Sequence, residues 1–141
     1  MNSYCTLRVA LGALAFCLCG VFEARAQNRF STESANIYLR DHDWKELLAY
    51  SQAWTMSEPD NSLVWEYLGN TLLIGLNRPD KAVAPLENAV SINPQSAESW
   101  NFLGQAYFKL NQPAEAIKAF GKAVASVPGN MNYCDNLASR Q

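Results

Sequence analysis

The stretch Trp100–Pro128, WNFLGQAYFKLNQPAEAIKAFGKAVASVP, decides how the rest of the chain is read. Trp100, Leu103, Gly104 and Tyr107 stand at spacings of three, four and seven, one face of a helix with 3.6 residues per turn. Asn111-Gln112-Pro113 breaks that pattern, and proline suits the first turn of a following helix. Ala116, Phe120, Ala123 and Val124 form a second apolar stripe, which Pro128-Gly129 ends. The stretch reads as helix, turn, helix.

The same unit occurs further towards the N-terminus. Trp65-x-x-Leu68-Gly69 lies 35 residues before Trp100-x-x-Leu103-Gly104. Asn77-x-Pro79 lies 34 residues before Asn111-x-Pro113, and that offset also carries Ala82, Val83, Leu86, Ala89, Val90 and Pro94 onto Ala116, Ile117, Phe120, Ala123, Val124 and Pro128. The step from 35 to 34 puts one extra residue between Leu72 and Leu76, near Gly75. Pro59, 35 residues before Pro94, extends the period to a first and weaker copy. No segment alternates with period two between turn signals, so no strands are expected.

This pattern resembles the tetratricopeptide repeat, a 34-residue helix-turn-helix unit with a W-x₂-L-G-x₂-Y first helix, an A-x₃-F-x₂-A second helix and a closing proline. Trp100, Leu103, Gly104, Tyr107, Ala116, Phe120, Ala123 and Pro128 fill all eight places. Trp65, Leu68, Gly69, Leu72, Ala82, Leu86, Ala89 and Pro94 fill them with two departures. The first copy keeps Ala35 and Tyr38 but has Leu47, Ser51 and Trp54 where the family has small, aromatic and small residues. The resemblance implies an all-α, right-handed superhelical stack. Its repeats would cover about 28–61, 62–96 and 97–130, with a capping helix at about 131–140. About three repeats are needed for stability, since one pair cannot bury its own apolar face. Trp65 and Trp100 are accordingly expected in the core. Cys134, where the other copies have tryptophan, is expected either as a small buried apolar residue or as a reachable thiol.

The first 26 residues differ from the rest. Arg8 precedes the apolar run Val9–Phe22, and Ala24-Arg25-Ala26 follows, the three parts of a secretory signal peptide. As a helix the run would extend about 21 Å at ~1.5 Å per residue, short of the roughly 30 Å hydrocarbon layer. Cleavage after Ala26 is therefore expected, leaving residues 27–141 exported to a periplasm or the exterior with no membrane span; an uncleaved anchor or a buried helix is the alternative. A lipoprotein signal is disfavoured because bulky Phe16 and Leu18 precede Cys17 and Cys19. After cleavage Cys134 is the only cysteine, so no internal disulfide can form, and a link between two molecules is the one available.

Composition removes several classes of activity. Eleven Lys+Arg against 13 Asp+Glu, a net charge of −2, give no basic surface for nucleic acid. A single histidine, His42, rules out sites built on several. Asp41-His42-Asp43 is the one cluster with catalytic residue types, but neighbouring residues point apart. In register with the family it is the turn between the helices of the first repeat, with Trp44 at the aromatic turn place. No nucleophile elbow, phosphate loop, cysteine pair or zinc signature occurs. No catalytic residue, metal or other cofactor is expected.

The resemblance implies protein–protein interaction, by one of two routes. The concave groove of the first helices would hold a partner's peptide or helix, or the apolar edges would lock the chain as a subunit into a larger envelope or secretion assembly. In the family, first-helix places five residues beyond each tryptophan place face the groove. Here these are Asn36, Asn70 and Gln105, three carboxamides that can each donate and accept. Tyr67 and Phe102 would add apolar contact, and Asn101 and Lys109 would rim one end. Chaperone-tail binders of the family have lysine where Glu66 stands, so that clamp is not expected here.

Overall fold

The computed structural model describes residues 30–139, and the signal segment expected at 1–26 lies outside them. The chain divides into two units, Met1–Ser34 and Ala35–Gln141. Of the first, Phe30–Ser34 are described, and there Ser31 Oγ accepts from the Ser34 backbone N–H at 3.2 Å.

The helices in chain order are α1 (Thr32–Asp41), α2 (Trp44–Ser57), α3 (Ser62–Asn70), α4 (Pro79–Ile92), α5 (Ala97–Lys109), α6 (Pro113–Ser126) and α7 (Met131–Ala138). No strand occurs among the described residues. α2 packs on α3, α3 on α4, α4 on α5, α5 on α6 and α6 on α7. The second unit is thus an all-α stack of helix-turn-helix repeats.

Each turn inside a repeat uses one left-handed residue: His42 (φ 57°), Asn77 (φ 50°) and Asn111 (φ 58°). Such a residue ends a helix by folding the chain back onto its last carbonyls. Asp43 N–H donates to Tyr38 O at 3.0 Å, and Gln112 N–H to Tyr107 O at 2.9 Å. His42 therefore serves the turn, its Nδ1 lying 3.1 Å from Arg40 O and its ring edge-on to Trp44 at 5.5 Å. Asp41-His42-Asp43 belongs to no metal-ligating group among the described residues.

The extra residue of the second repeat is taken up as a π turn, Thr71–Gly75, closed by Leu76 N–H donating to Thr71 O at 3.0 Å. Bulges of this kind absorb an insertion without ending the helix. A Cβ on Gly75 would collide with the indole of Trp44, so only glycine lets that ring lie against the bulge.

Close approach sets the spacing within each pair. A Cβ on Gly69 would stand 2.5 Å from Leu86 Cγ, and one on Gly104 would stand 2.7 Å from Phe120 Cδ1. Leu86 and Phe120 are fully buried, between Ala82 and Ala89 and between Ala116 and Ala123. The first repeat inverts the sizes. Leu47, Ser51 and Trp54 hold the equivalent places and are all buried, Ser51 completely. Trp54 meets Tyr50 at 5.9 Å and Tyr67 at 5.8 Å, while Tyr38 meets Tyr50 at 5.6 Å. An aromatic cluster fills what an alanine leaves empty elsewhere.

Two expectations are refined. Trp65 and Trp100 are half-buried rather than fully buried, and Trp100 packs against the core from its edge. Their indole N–H groups donate to Pro59 O at 2.6 Å and Pro94 O at 2.8 Å, tying each first helix to the turn before it. A tryptophan bonded to a surface turn must leave its N–H edge outside the core. Of the two alternatives for Cys134 the structure shows the exposed thiol, since its neighbour Tyr133 turns inward against Ala97 and Ala123. The chain end is thus closed by a phenol.

Trp100→Phe should cost about 0.5–1.5 kcal/mol, the worth of one hydrogen bond. Trp100→Ala should cost more, yet less than the ~3–5 kcal/mol of a fully buried ring. Urea unfolding of both variants checks the order; equal costs would remove the indole–carbonyl bond from the account.

Candidate functional site

The first helices α1, α3 and α5 carry the residues expected to line a groove. Asn36 is exposed on α1; Tyr67 and Asn70 on α3 and Asn101, Phe102 and Gln105 on α5 are half-buried; Lys109 is exposed at the end of α5. Tyr67, Asn70 and Phe102 meet in one cleft of about 190 Å³, together with Leu39 on α1, Glu66 on α3 and Glu98 on α5.

Asn36, Asn101, Gln105 and Lys109 do not line this cleft, and three of them bond to neighbours. Asn36 Oδ1 accepts from the Tyr67 hydroxyl at 2.9 Å. Asn136 Nδ2 on α7 donates to Asn101 Oδ1 at 2.8 Å. Lys109 Nζ donates to Asn77 Oδ1 at 2.9 Å and to Leu73 O at 3.5 Å, which ties α5 to the end of the preceding first helix. The carboxamides therefore do not form one uninterrupted free ladder.

Glu66 is the charged residue of this region that lies deepest, 9% exposed. Its Oε2 accepts from the Ser99 hydroxyl and, at 3.1 Å, from the Ser96 hydroxyl. Ser96 is the N-cap of α5, its Oγ accepting from Ser99 N–H at 3.2 Å. The carboxyl of Glu66 thus sits at the N-terminal turn of the next first helix, where a helix favours negative charge. Burial nevertheless pushes its pKa above the ordinary 4.5; the serine hydroxyls oppose the rise, and the charge of Glu98 adds to it. Burial also raises Tyr133, with help from the charges of Glu98 and Glu66. Sequence spacing does not find this group, because its members lie about thirty residues apart and meet only through stacking.

A second cleft, of about 340 Å³, opens between α4, α5 and α6. Val90, Trp100, Leu103 and Tyr107 line it, with Glu87, Glu115, Lys118 and Lys122 also on its walls. The Tyr107 hydroxyl donates to Glu87 Oε1 at 2.6 Å. Burial, followed by that carboxylate's bond and charge, pushes the phenol up to about 12, so it stays a neutral donor near neutral pH.

A stack of helix pairs with one face of first helices and another of second helices defines a class of interaction scaffold. Residues 71–130 carry the tetratricopeptide repeat: they match the profile of the family described by that name. The chain is 34% identical over 80 residues to Tetratricopeptide repeat protein 37 of Xenopus laevis. It is 32% identical over 79 residues to the chloroplastic tetratricopeptide repeat domain-containing protein PYG7 of Arabidopsis thaliana. These matches take in 57% and 56% of the chain but span only 5% and 26% of the relatives. Among solved structures, the fold is similar to the first tetratricopeptide domain of Spaghetti (RPAP3) bound to the HSP90 peptide SRMEEVD. That similarity has a TM-score of 0.73 and 19% identity, and covers 77% of this chain and 85% of that one. No described helix is long and apolar enough to cross a membrane.

Because Glu66 binds its proton more tightly folded than unfolded, its ionised form costs stability. The stabilisation from the protonated form is whole below pH ~4.5 and fades as pH rises through the folded value. Glu66→Gln, which can still accept from both serines, should therefore raise Tm at pH 7 and lose that advantage near pH 4. Thermal melts at the two pH values check this; a lower Tm at pH 7 contradicts it.

Proposed function

We propose that the protein is a non-enzymatic interaction module whose groove of first helices holds an extended segment of a partner protein. The observation that carries this reading is the cleft joining α1, α3 and α5. Leu39, Tyr67 and Phe102 give it apolar walls, and the carboxamide of Asn70 is placed to bond a passing backbone. The Spaghetti domain, bound to its HSP90 peptide, supports peptide capture as a use of this fold. On the same reading the protein acts after export, with residues 1–26 as the signal.

A second reading, a subunit packed by its edges, draws on Met56 on α2 (86% exposed) and Met131 on α7 (75% exposed), both bare apolar side chains.

Photo-crosslinking separates the two faces. A benzoylphenylalanine at position 102 should capture the partner, and one at position 118, on the second-helix face, should not; capture only from 118 contradicts the groove. With that partner in hand, Asn70→Ala combined with Gln105→Ala should lower affinity about fivefold to a hundredfold, at roughly 0.5–1.5 kcal/mol per lost hydrogen bond. Unchanged affinity in the folded double variant overturns the assignment of these residues.

A further inference from the structure

The groove cleft has a chemistry of its own. At about 190 Å³ it is smaller than the roughly 300–1,000 Å³ of small-molecule sites, a scale that suits one long side chain. Its walls are apolar on Leu39, Tyr67 and Phe102, and its charged members, Glu66 and Glu98, are both acidic. The ion pairs of the described residues, Arg40–Asp41 and Arg78–Asp80, lie elsewhere. Lys109, the cation expected on the groove rim, is bonded to Asn77 and the Leu73 carbonyl instead.

Glu66 is held in a fixed position. Ser96 and Ser99 both donate to its Oε2, and no hydrogen bond to Oε1 occurs among the described residues. A largely buried carboxylate whose second oxygen stays reachable, close enough to Glu98 to feel its charge, suits a positive donor. A cation arriving there offsets the repulsion between the two carboxylates. A methylene stem behind that cation would find apolar contact on Leu39, and the faces of Tyr67 and Phe102 attract positive charge as well as hydrocarbon.

We propose that this cleft takes a lysine or arginine side chain of the partner segment, its head against Glu66 and Glu98 and its stem along Leu39, Tyr67 and Phe102. The inference rests on the groove being the docking face and adds the class of partner: a basic segment with apolar residues, opposite in charge to the acidic peptide of the Spaghetti domain.

Selection of randomised dodecapeptides on the full chain tests it. The peptides recovered should be enriched in lysine and arginine over the input. Their affinity should fall about tenfold or more for Glu98→Gln, and again for Glu66→Gln, as charge-assisted bonds are lost. It should also fall in about 1 M salt, where the Debye length is ~3 Å. Glu98 is exposed, so its variant reads the charge effect even if Glu66→Gln disturbs folding. Peptides with an acidic bias or no charge bias overturn the proposal; if they still weaken with Asn70→Ala, the groove reading survives alone. Peptides indifferent to Asn70→Ala, Glu66→Gln and Glu98→Gln, or no peptides at all, overturn both.

Discussion

The contact on which the stack depends is a side chain pressed against a bare backbone. Leu86 lies against Gly69 and Phe120 against Gly104, at distances that leave no room for even one methyl group. This brings the two helices of a pair together, and the flanking alanines at 82, 89, 116 and 123 let the large side chain sink between them. The first repeat meets the same demand with other residues. Alanine stands at its glycine place, Ala35, and a small Ser51 stands where the others have leucine and phenylalanine. Size is exchanged between partners while the layer stays filled. With the later pairs spaced alike, α3 and α5 come together, and residues of α1, α3 and α5 share one cleft.

That meeting of helices also creates the site's electrostatics. Glu66 is buried because α5 arrives over it, and its carboxyl is kept by hydroxyls belonging to that arriving helix. The arrangement costs stability near neutral pH, since burial disfavours the charged form. Retaining such a charge beside an acidic neighbour is what the proposed recognition of a basic segment requires. Elsewhere the groove helices are cross-linked by neutral bonds, from Tyr67 to Asn36 and from Asn136 to Asn101.

Repeat spacing made the fold legible. The glycine, alanine and proline places, and even the extra residue later found in the π turn, followed from offsets of 35 and 34. Which atoms of a large residue are covered did not follow. Trp65 and Trp100 are apolar in composition but direct an N–H to a turn carbonyl, and only the chain path shows that carbonyl within reach. Cys134 holds the tryptophan place in register, yet a cysteine cannot reach the preceding turn, and Tyr133 takes up the burial. Register alone singled out Tyr67, Asn70 and Phe102, which the structure brings together in one cleft. Glu66 entered the sequence reading only as a missing lysine, because Ser96 and Ser99, which determine its environment, come from the next repeat.

The claim that glycine sets the helix spacing is tested most directly by a double-mutant cycle on Gly104 and Phe120. Gly104→Ala alone should cost about 1–3 kcal/mol through overpacking. Phe120→Val removes the ring atoms that the new methyl would meet. In that background Gly104→Ala should cost at least about 1 kcal/mol less, since alanine is otherwise the better helix residue by ~1 kcal/mol. If Gly104→Ala costs the same in both backgrounds, close approach to Phe120 is not what fixes glycine there.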